Sequence, residues 1–111
     1  MAGSNESPLS KLDAEKVDKI QFLINDSFVM EQLVYVLTDT DGRQVSFYEG
    51  GEDFRPFEEW LDLHFHGVRQ TVWQWFNTNV LPDLDKARTP ETTVYTRPRG
   101  AIPIDQIRVG A

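Results

Sequence analysis

The segment Leu33–Tyr48, LVYVLTDTDGRQVSFY, decides the fold because it encodes two strands joined by a tight turn. Its dipeptide Asp41-Gly42 separates two runs of alternating apolar residues, and both residue types tolerate the positive φ of a two-residue hairpin turn. Counting outward from this turn places Val36 opposite Phe47 and gives the hairpin two apolar faces. The two faces comprise Val34, Val36, Val45 and Phe47 on one side, and Leu33, Tyr35, Leu37 and Tyr48 on the other.

A long helical segment follows the hairpin. Pro56 suits the first turn of this helix because proline has no N–H to leave unpaired there. Gly67 interrupts the segment and marks a kink, a junction between two helices or a close approach of another backbone, and Pro82 ends it. Apolar residues recur at spacings of three or four, which fit a helix and no strand. The predicted core positions are Phe57, Leu61, Phe65, Val68, Val72 and Phe76.

The segments that flank this unit complete an α+β pattern. On the N-terminal side, a capping residue at Ser10 and the spacing of Val17, Ile20 and Ile24 predict a helix over residues 11–24. On the C-terminal side, ETTVYT has strand composition, RPRG is a turn, and IPIDQIRV suits an edge strand or an extended arm. The sequence therefore predicts a small, mainly antiparallel sheet, formed by the hairpin plus one or two C-terminal strands and packed on two or three helices.

The length and composition predict one domain in a reducing compartment. A chain of 111 residues can build a single core, and we expect a flexible tail over residues 1–9 and one α+β domain with an extended C-terminal arm over residues 10–111. The absence of cysteine excludes disulfides, thiolate nucleophiles and cysteine-ligated metals. No signal peptide and no apolar run of about 18 residues is present, so we expect a soluble, cytoplasmic protein that does not enter a membrane.

The charge is strongly acidic and unevenly distributed. The net charge is −7, and residues 1–62 hold 14 acidic against 5 basic residues, whereas residues 63–111 hold 4 against 6. Direct binding to nucleic acid is not expected, because it depends on Lys and Arg that displace counterions from phosphates. A basic protein partner, or solubility alone, accounts better for the bias. The opposite charges of the two parts also allow a homo-oligomer.

His64 and His66 are the candidate metal ligands, since they stand close to Glu58, Glu59 and Asp62. In a continuous helix, side chains two residues apart diverge by about 200°, so the two imidazoles cannot reach one ion. No segment offers a recognisable nucleophile with a base, and the acids around the only glycine pair would repel a phosphate. We therefore predict no catalytic residue, no metal site and no cofactor.

The strongest functional signal is a mixture of acids and aromatic rings. Aromatic anchors supply buried area and carboxylates steer the approach of a basic partner. The candidate partner-binding residues are Glu49, Glu52, Asp53, Glu58, Glu59, Trp60, Asp62 and Trp73. The alternative is that the rings belong to the core and the acids form a solvated face beside a helix N-terminus.

Two functions follow from these residues. The first is a small acidic, non-catalytic regulator or inhibitor that occupies a basic protein, including one that handles nucleic acid, with nucleic-acid mimicry as its extreme form. The alternative is a structural or accessory subunit of a homo- or hetero-oligomer. Its predicted contacts are Leu63 and Trp73, which lie off the core face of the helix, and the C-terminal arm.

Overall fold

The computed structural model describes Leu9 and residues 12–26, 31–79 and 89–110, which form an antiparallel sheet with two helices packed on one face. Within these ranges the sheet has five strands in the order β3-β2-β1-β4-β5. The elements are β1 Val17–Asp26, β2 Glu31–Asp39, β3 Gln44–Tyr48, α1 Phe54–His64, α2 Val68–Asn79, β4 Thr89–Thr96 and β5 Gly100–Ala101. Short 3-10 turns cover Ala14–Lys16 and Ile104–Gln106. The α+β class and the antiparallel sheet are confirmed.

The helix predicted over residues 11–24 is wrong, because most of that segment is strand β1 at the centre of the sheet. β1 pairs with β2 on one side and with β4 on the other. The spacing of Val17, Ile20 and Ile24 fits a helical period, but Ile20, Phe22 and Ile24 also alternate with period two. In the strand, all three alternating side chains lie on the helix-covered face at no more than 1% exposure. A helix would have turned Phe22 about 160° away from Ile20.

The predicted hairpin is present, but its turn has three residues rather than two. The Gly42 N–H donates to the Asp39 carbonyl at 3.0 Å, and the Asp39 N–H donates to the Arg43 carbonyl at 2.9 Å. Asp39 Oδ1 also accepts hydrogen bonds from the N–H groups of Asp41 and Arg43, each at 2.9 Å. Gly42 has a φ of 84°, the left-handed conformation that ends a three-residue loop of this kind.

The extra turn residue shifts the register and corrects the predicted faces. Tyr35 pairs with Phe47, and Leu37 pairs with Val45, whereas a two-residue turn would place Val36 opposite Phe47. A shift of one residue moves a whole set of side chains to the other face. The helix-covered face of the hairpin therefore carries Leu33, Tyr35, Leu37, Val45 and Phe47, and the other face carries Val34, Val36 and Tyr48.

The long helical segment consists of two helices, with Gly67 at the junction. Gly67 has a φ of 88°, and no atom lies within 4 Å of the position that a Cβ would take. Of the three roles that the sequence left open, the glycine therefore supplies the left-handed turn between α1 and α2. α1 begins at Phe54, two residues before Pro56. Pro82, predicted to end the segment, lies outside the described residues.

The core lies between this helix pair and the sheet. Five of the six predicted helical core positions are buried, whereas Phe76 is half-buried and Trp75 is buried against Phe22. Phe57 is fully buried and stacks on Phe47 with ring centroids 4.2 Å apart, which fixes α1 over the outer strand β3. Trp73 is half-buried at the edge of the core, as its helical phase predicts.

The C-terminal part follows the sequence prediction in β4, whereas the segment predicted as an edge strand or extended arm, IPIDQIRV, contains a 3-10 turn and no strand. β4 contains the predicted strand, and the turn after it leads into the two-residue strand β5 at the far edge of the sheet. The chain then runs through the 3-10 turn Ile104–Gln106. The tail predicted over residues 1–9 lies outside the described residues, apart from Leu9. Within the described ranges, no helix is both long and apolar enough to cross a membrane.

Candidate functional site

The structure divides the eight predicted partner-binding residues among three places. Glu49, Glu52 and Asp53 lie in the loop that joins β3 to α1. Glu58 and Asp62 point from α1 toward α2, where Trp73 lies. Glu59 lies on the outer side of α1, and Trp60 lies on the flank opposite Glu58. The predicted acidic and aromatic residues therefore do not form one continuous surface, and the three groups make different contacts.

The pair Glu58 and Asp62 holds the two helices together. The indole Nε1–H of Trp73 donates a hydrogen bond of 2.9 Å to Glu58 Oε2. Arg69 Nε–H lies 2.9 Å from each carboxylate oxygen of Asp62. This hydrogen bond raises the pKa of the Arg69 guanidinium. Glu58, Asp62 and Trp73 thus have intramolecular partners across the helix pair, and a binding role for them would require those contacts to be shared or broken.

A buried phenol lies beneath the same helix pair. Tyr35 is fully buried between Phe54 and Phe57, with ring centroids 6.0 and 5.2 Å away. Its hydroxyl has no hydrogen-bond partner in the described part of the chain. Burial raises the pKa of Tyr35 well above its usual range, and the negative charge of Glu58 adds to that shift. The hydroxyl is therefore a neutral group at physiological pH and contributes no charge to the surface.

Trp60 lies on the opposite flank of α1 from Glu58, since positions two residues apart on a helix differ by about 160°. Its ring contacts the rings of Phe57, His64 and Phe65 at centroid distances between 5.1 and 5.9 Å, so it is half-buried against the core. Glu59 is exposed on the outer side of α1. This face also presents Leu63, which is 78% exposed and is the most exposed large hydrophobic residue in the described ranges.

The loop acids line a cavity beside the outer strand. Glu52 and Asp53, with Ser46, Phe47, Tyr48, Gly50, Gly51 and Phe54, enclose about 390 Å³ between β3 and the start of α1. Glu52 is exposed, and Asp53 precedes α1 without accepting a capping hydrogen bond through its side chain. Tyr48 is 53% exposed. The structure thus brings two carboxylates with no intramolecular ion pair among the described residues beside an exposed ring.

Glu49 supports this loop rather than facing the cavity. Its carboxylate accepts a hydrogen bond of 3.3 Å from the N–H of Leu33, and its own N–H donates to the Leu33 carbonyl at 2.8 Å. Gln32 Nε2–H also donates to the Glu49 carbonyl at 2.7 Å. These bonds anchor the start of the loop to the N-terminal part of β2. They fix where the carboxylates of Glu52 and Asp53 can lie.

The two histidines line one cavity, which corrects the expectation that they diverge along a continuous helix. α1 ends at His64, and the non-helical backbone of Phe65, with φ −133° and ψ 71°, brings His66 to the same cavity. The cavity has a volume of about 340 Å³, and Glu15 and Tyr95 also line it. No group of three potential ligands in the described ranges is placed to hold a metal ion.

The open edge of the sheet at β3 is the feature that the sequence prediction missed. Among the described strands β3 is outermost, because it pairs with β2 alone; β1 lies between β2 and β4, and the helix prediction for β1 concealed this order. The alternation of Ile20, Phe22 and Ile24 was the signal that could have revealed it. Comparisons with protein-family models, curated proteins and solved structures found no match to the chain. The fold and this site define an α+β protein with an acidic loop beside a sheet edge that pairs with no described strand.

Proposed function

We propose that this chain is a small acidic, non-catalytic regulator or inhibitor that binds a basic protein partner. The observation that carries the proposal is the cavity at the β3–α1 loop, where Glu52 and Asp53 lie beside the exposed ring of Tyr48. The single ion pair in the described ranges joins Asp62 to Arg69, so no basic side chain there forms an ion pair with the loop carboxylates. A Lys or Arg of a partner would find two acceptors and an aromatic surface at one place.

The chain's overall charge supports the same partner. A net charge of −7 attracts a basic surface from a distance and accelerates the encounter at low ionic strength. If the partner handles nucleic acid, carboxylates at this loop would occupy positions that phosphates take, and the protein would compete with nucleic acid for that groove. The absence of cysteine from the sequence fits the cytoplasm as the site of this activity.

The test is an affinity capture from a lysate of the source cells, quantified by mass spectrometry at low and high salt. We expect wild-type protein to enrich basic proteins at low salt, and the double variant Glu52→Gln/Asp53→Asn to lose that enrichment. A matched control, Glu91→Gln/Asp105→Asn, removes the same charge from exposed positions on the β4–β5 side of the sheet. If the control loses the same partners, the net charge is responsible and the loop is not the site.

The second candidate, a subunit of an oligomer, is favoured by the exposure of Leu63 on the outer face of α1. A large apolar side chain of this kind often marks a contact surface when other apolar groups surround it. Light scattering at high concentration, compared with a Leu63→Lys variant, tests this function. A stable oligomer that the variant dissociates supports assembly, and a monomer at every concentration contradicts self-assembly.

A further inference from the structure

The hydrogen bonds of the hairpin fix which backbone groups of β3 point to its outer edge. In an antiparallel pair, residues whose N–H and C=O groups face the partner alternate with residues whose groups face away. The bonds from Asp39 to Arg43 and from Glu49 to Leu33 fix this alternation, so Val45 and Phe47 bond to β2. The groups of Gln44, Ser46 and Tyr48 therefore point to the free edge.

Most of these outward groups have no partner within the described ranges. The Tyr48 carbonyl accepts a hydrogen bond of 3.0 Å from the Gly51 N–H. This leaves the N–H and C=O of Gln44 and Ser46 and the N–H of Tyr48. No described strand pairs with this side of β3. A row of such groups in one plane is a template for another extended chain.

The edge also lacks the features that normally prevent strand addition. Natural edges are protected by Lys, Pro, bulges or inward-pointing charges. The segment Gln44–Tyr48, QVSFY, contains no Lys, no Pro and no charged residue. Its pairing with β2 runs over five residues without a register shift. β5, at the other edge of the sheet, has only two residues. Of the two outermost described strands, β3 is therefore the longer.

The charge at the two ends of this edge favours a basic binding partner over a second copy of the chain. Glu52 and Asp53 lie beyond its C-terminal end, and the hairpin turn at its N-terminal end carries Asp39 and Asp41 with Arg43. A second copy of the chain would bring like charges together at this edge, which is unfavourable. A basic extended segment would instead meet opposite charge at the acidic end of the edge.

We propose that an extended, basic segment of a protein partner adds to β3 as a sixth, antiparallel strand. Its backbone bonds to Gln44, Ser46 and Tyr48, and a Lys or Arg near its N-terminal end enters the cavity lined by Glu52 and Asp53. The antiparallel direction follows the four existing strand pairs and gives slightly stronger hydrogen bonds. This inference rests on the proposed function and specifies the partner's chemistry and its mode of binding.

The experiment selects linear peptides from a random display library on the full chain and measures the dissociation constant of the best binder. We expect the selected peptides to carry Lys or Arg N-terminal to a run of β-forming residues. Ser46→Pro removes an outward N–H without removing a bond to β2, a position at which an edge strand accepts proline. We expect this variant and Glu52→Gln/Asp53→Asn each to weaken binding at least about tenfold. Ser46→Ala and Glu91→Gln/Asp105→Asn should bind as the wild type does.

A second measurement does not depend on whether Ser46→Pro folds. N-methylation of the selected peptide at one position at a time removes single N–H groups, and only alternate ones face β3 in an added strand. Loss of binding at every second position supports the inference. Uniform tolerance of N-methyl groups, or wild-type affinity of a folded Ser46→Pro variant, overturns it.

Two further outcomes separate this inference from the proposed function. If basic partners are still captured through Glu52 and Asp53 while Ser46→Pro and the N-methylated peptides bind normally, strand addition is wrong and the proposed function stands. If neither the lysate nor the library yields a charge-dependent partner, the proposed function fails as well. A free protein that is a dimer, and that Ser46→Pro turns into a monomer, also overturns the inference, because a second copy would then occupy the edge.

Discussion

Replacing Tyr35 by phenylalanine should stabilise the protein, although most core substitutions destabilise. The hydroxyl of Tyr35 is buried without a hydrogen-bond partner among the described residues. Burying a hydroxyl in this state costs about 1–3 kcal/mol. Removing it leaves a void of at most about 30 Å³, the volume of one water molecule, which costs about 0.7 kcal/mol at 24 cal/mol per Å³. We therefore expect Tyr35→Phe to raise the free energy of unfolding by about 1 kcal/mol.

Urea denaturation followed by tryptophan fluorescence measures this change. For a chain of 111 residues, an increase of about 1 kcal/mol corresponds to a rise in Tm of about 4 °C. Tyr48→Phe is the matched control, since Tyr48 is half-exposed and its hydroxyl can reach water. The control should change the free energy of unfolding by less than about 0.5 kcal/mol. A Tyr35→Phe variant that is less stable than the wild type by 1 kcal/mol or more would contradict a buried hydroxyl without a partner.

The pH dependence of stability gives a second readout of Tyr35. Burial, followed by the charge of Glu58, raises its pKa in the folded state above the ordinary value of 10.0. The unfolded chain therefore loses this proton at a lower pH than the folded chain does. The free energy of unfolding is unaffected by this group below pH 10 and falls as the pH rises further. We expect a loss of up to about 1.4 kcal/mol per pH unit above pH 10. In Tyr35→Phe this part of the alkaline loss should disappear, and an unchanged slope would contradict the buried position.

Three smaller changes test the helix pair. Gly67→Ala should lower the free energy of unfolding by about 1–2 kcal/mol, and Gly67→Asn should lower it less. The reason is that Gly67 has a positive φ, while no atom would collide with a Cβ. Equal losses in the two variants would contradict a backbone origin. Asp62→Asn should lower the free energy of unfolding by only about 0.2–1 kcal/mol, and not at all at high salt, because the ion pair with Arg69 is solvent-exposed. A loss that does not depend on salt would contradict a solvent-exposed pair. Trp73→Phe removes the hydrogen bond to Glu58 and should lower the free energy of unfolding, measured by urea titration, by about 1 kcal/mol. Adding Glu58→Gln to this variant should cause no further loss.

The elements with a single strong pattern were predictable from the sequence. The hairpin followed from Asp41-Gly42, and the helix pair followed from apolar residues at helical spacing with a break at Gly67. β1 was missed because Val17, Ile20 and Ile24 fit the helical period while Ile20, Phe22 and Ile24 fit the period of two, and only pairing with β2 and β4 decides between them. Tertiary pairing overrides a local signal of this kind.

The candidate site was predictable in composition but not in arrangement. The sequence identified the acids between β3 and α1, yet it could not show that Glu58 would bond to Trp73 and Asp62 to Arg69. Those contacts depend on the angle that the Gly67 turn sets between the helices. The one-residue error in the hairpin turn had a local origin, since the Asp39 side chain stabilises a three-residue loop.

The most direct test of the central claim is to map the bound peptide on the isotope-labelled protein by NMR. We expect the largest amide shifts, and new protection from hydrogen exchange, at Gln44, Ser46 and Tyr48, with further shifts at Glu52 and Asp53. These amides share the β3 edge and the acidic cavity, and the amides of Val45 and Phe47 already bond to β2. Shifts confined to the histidine cavity or to the outer face of α1 would contradict the account.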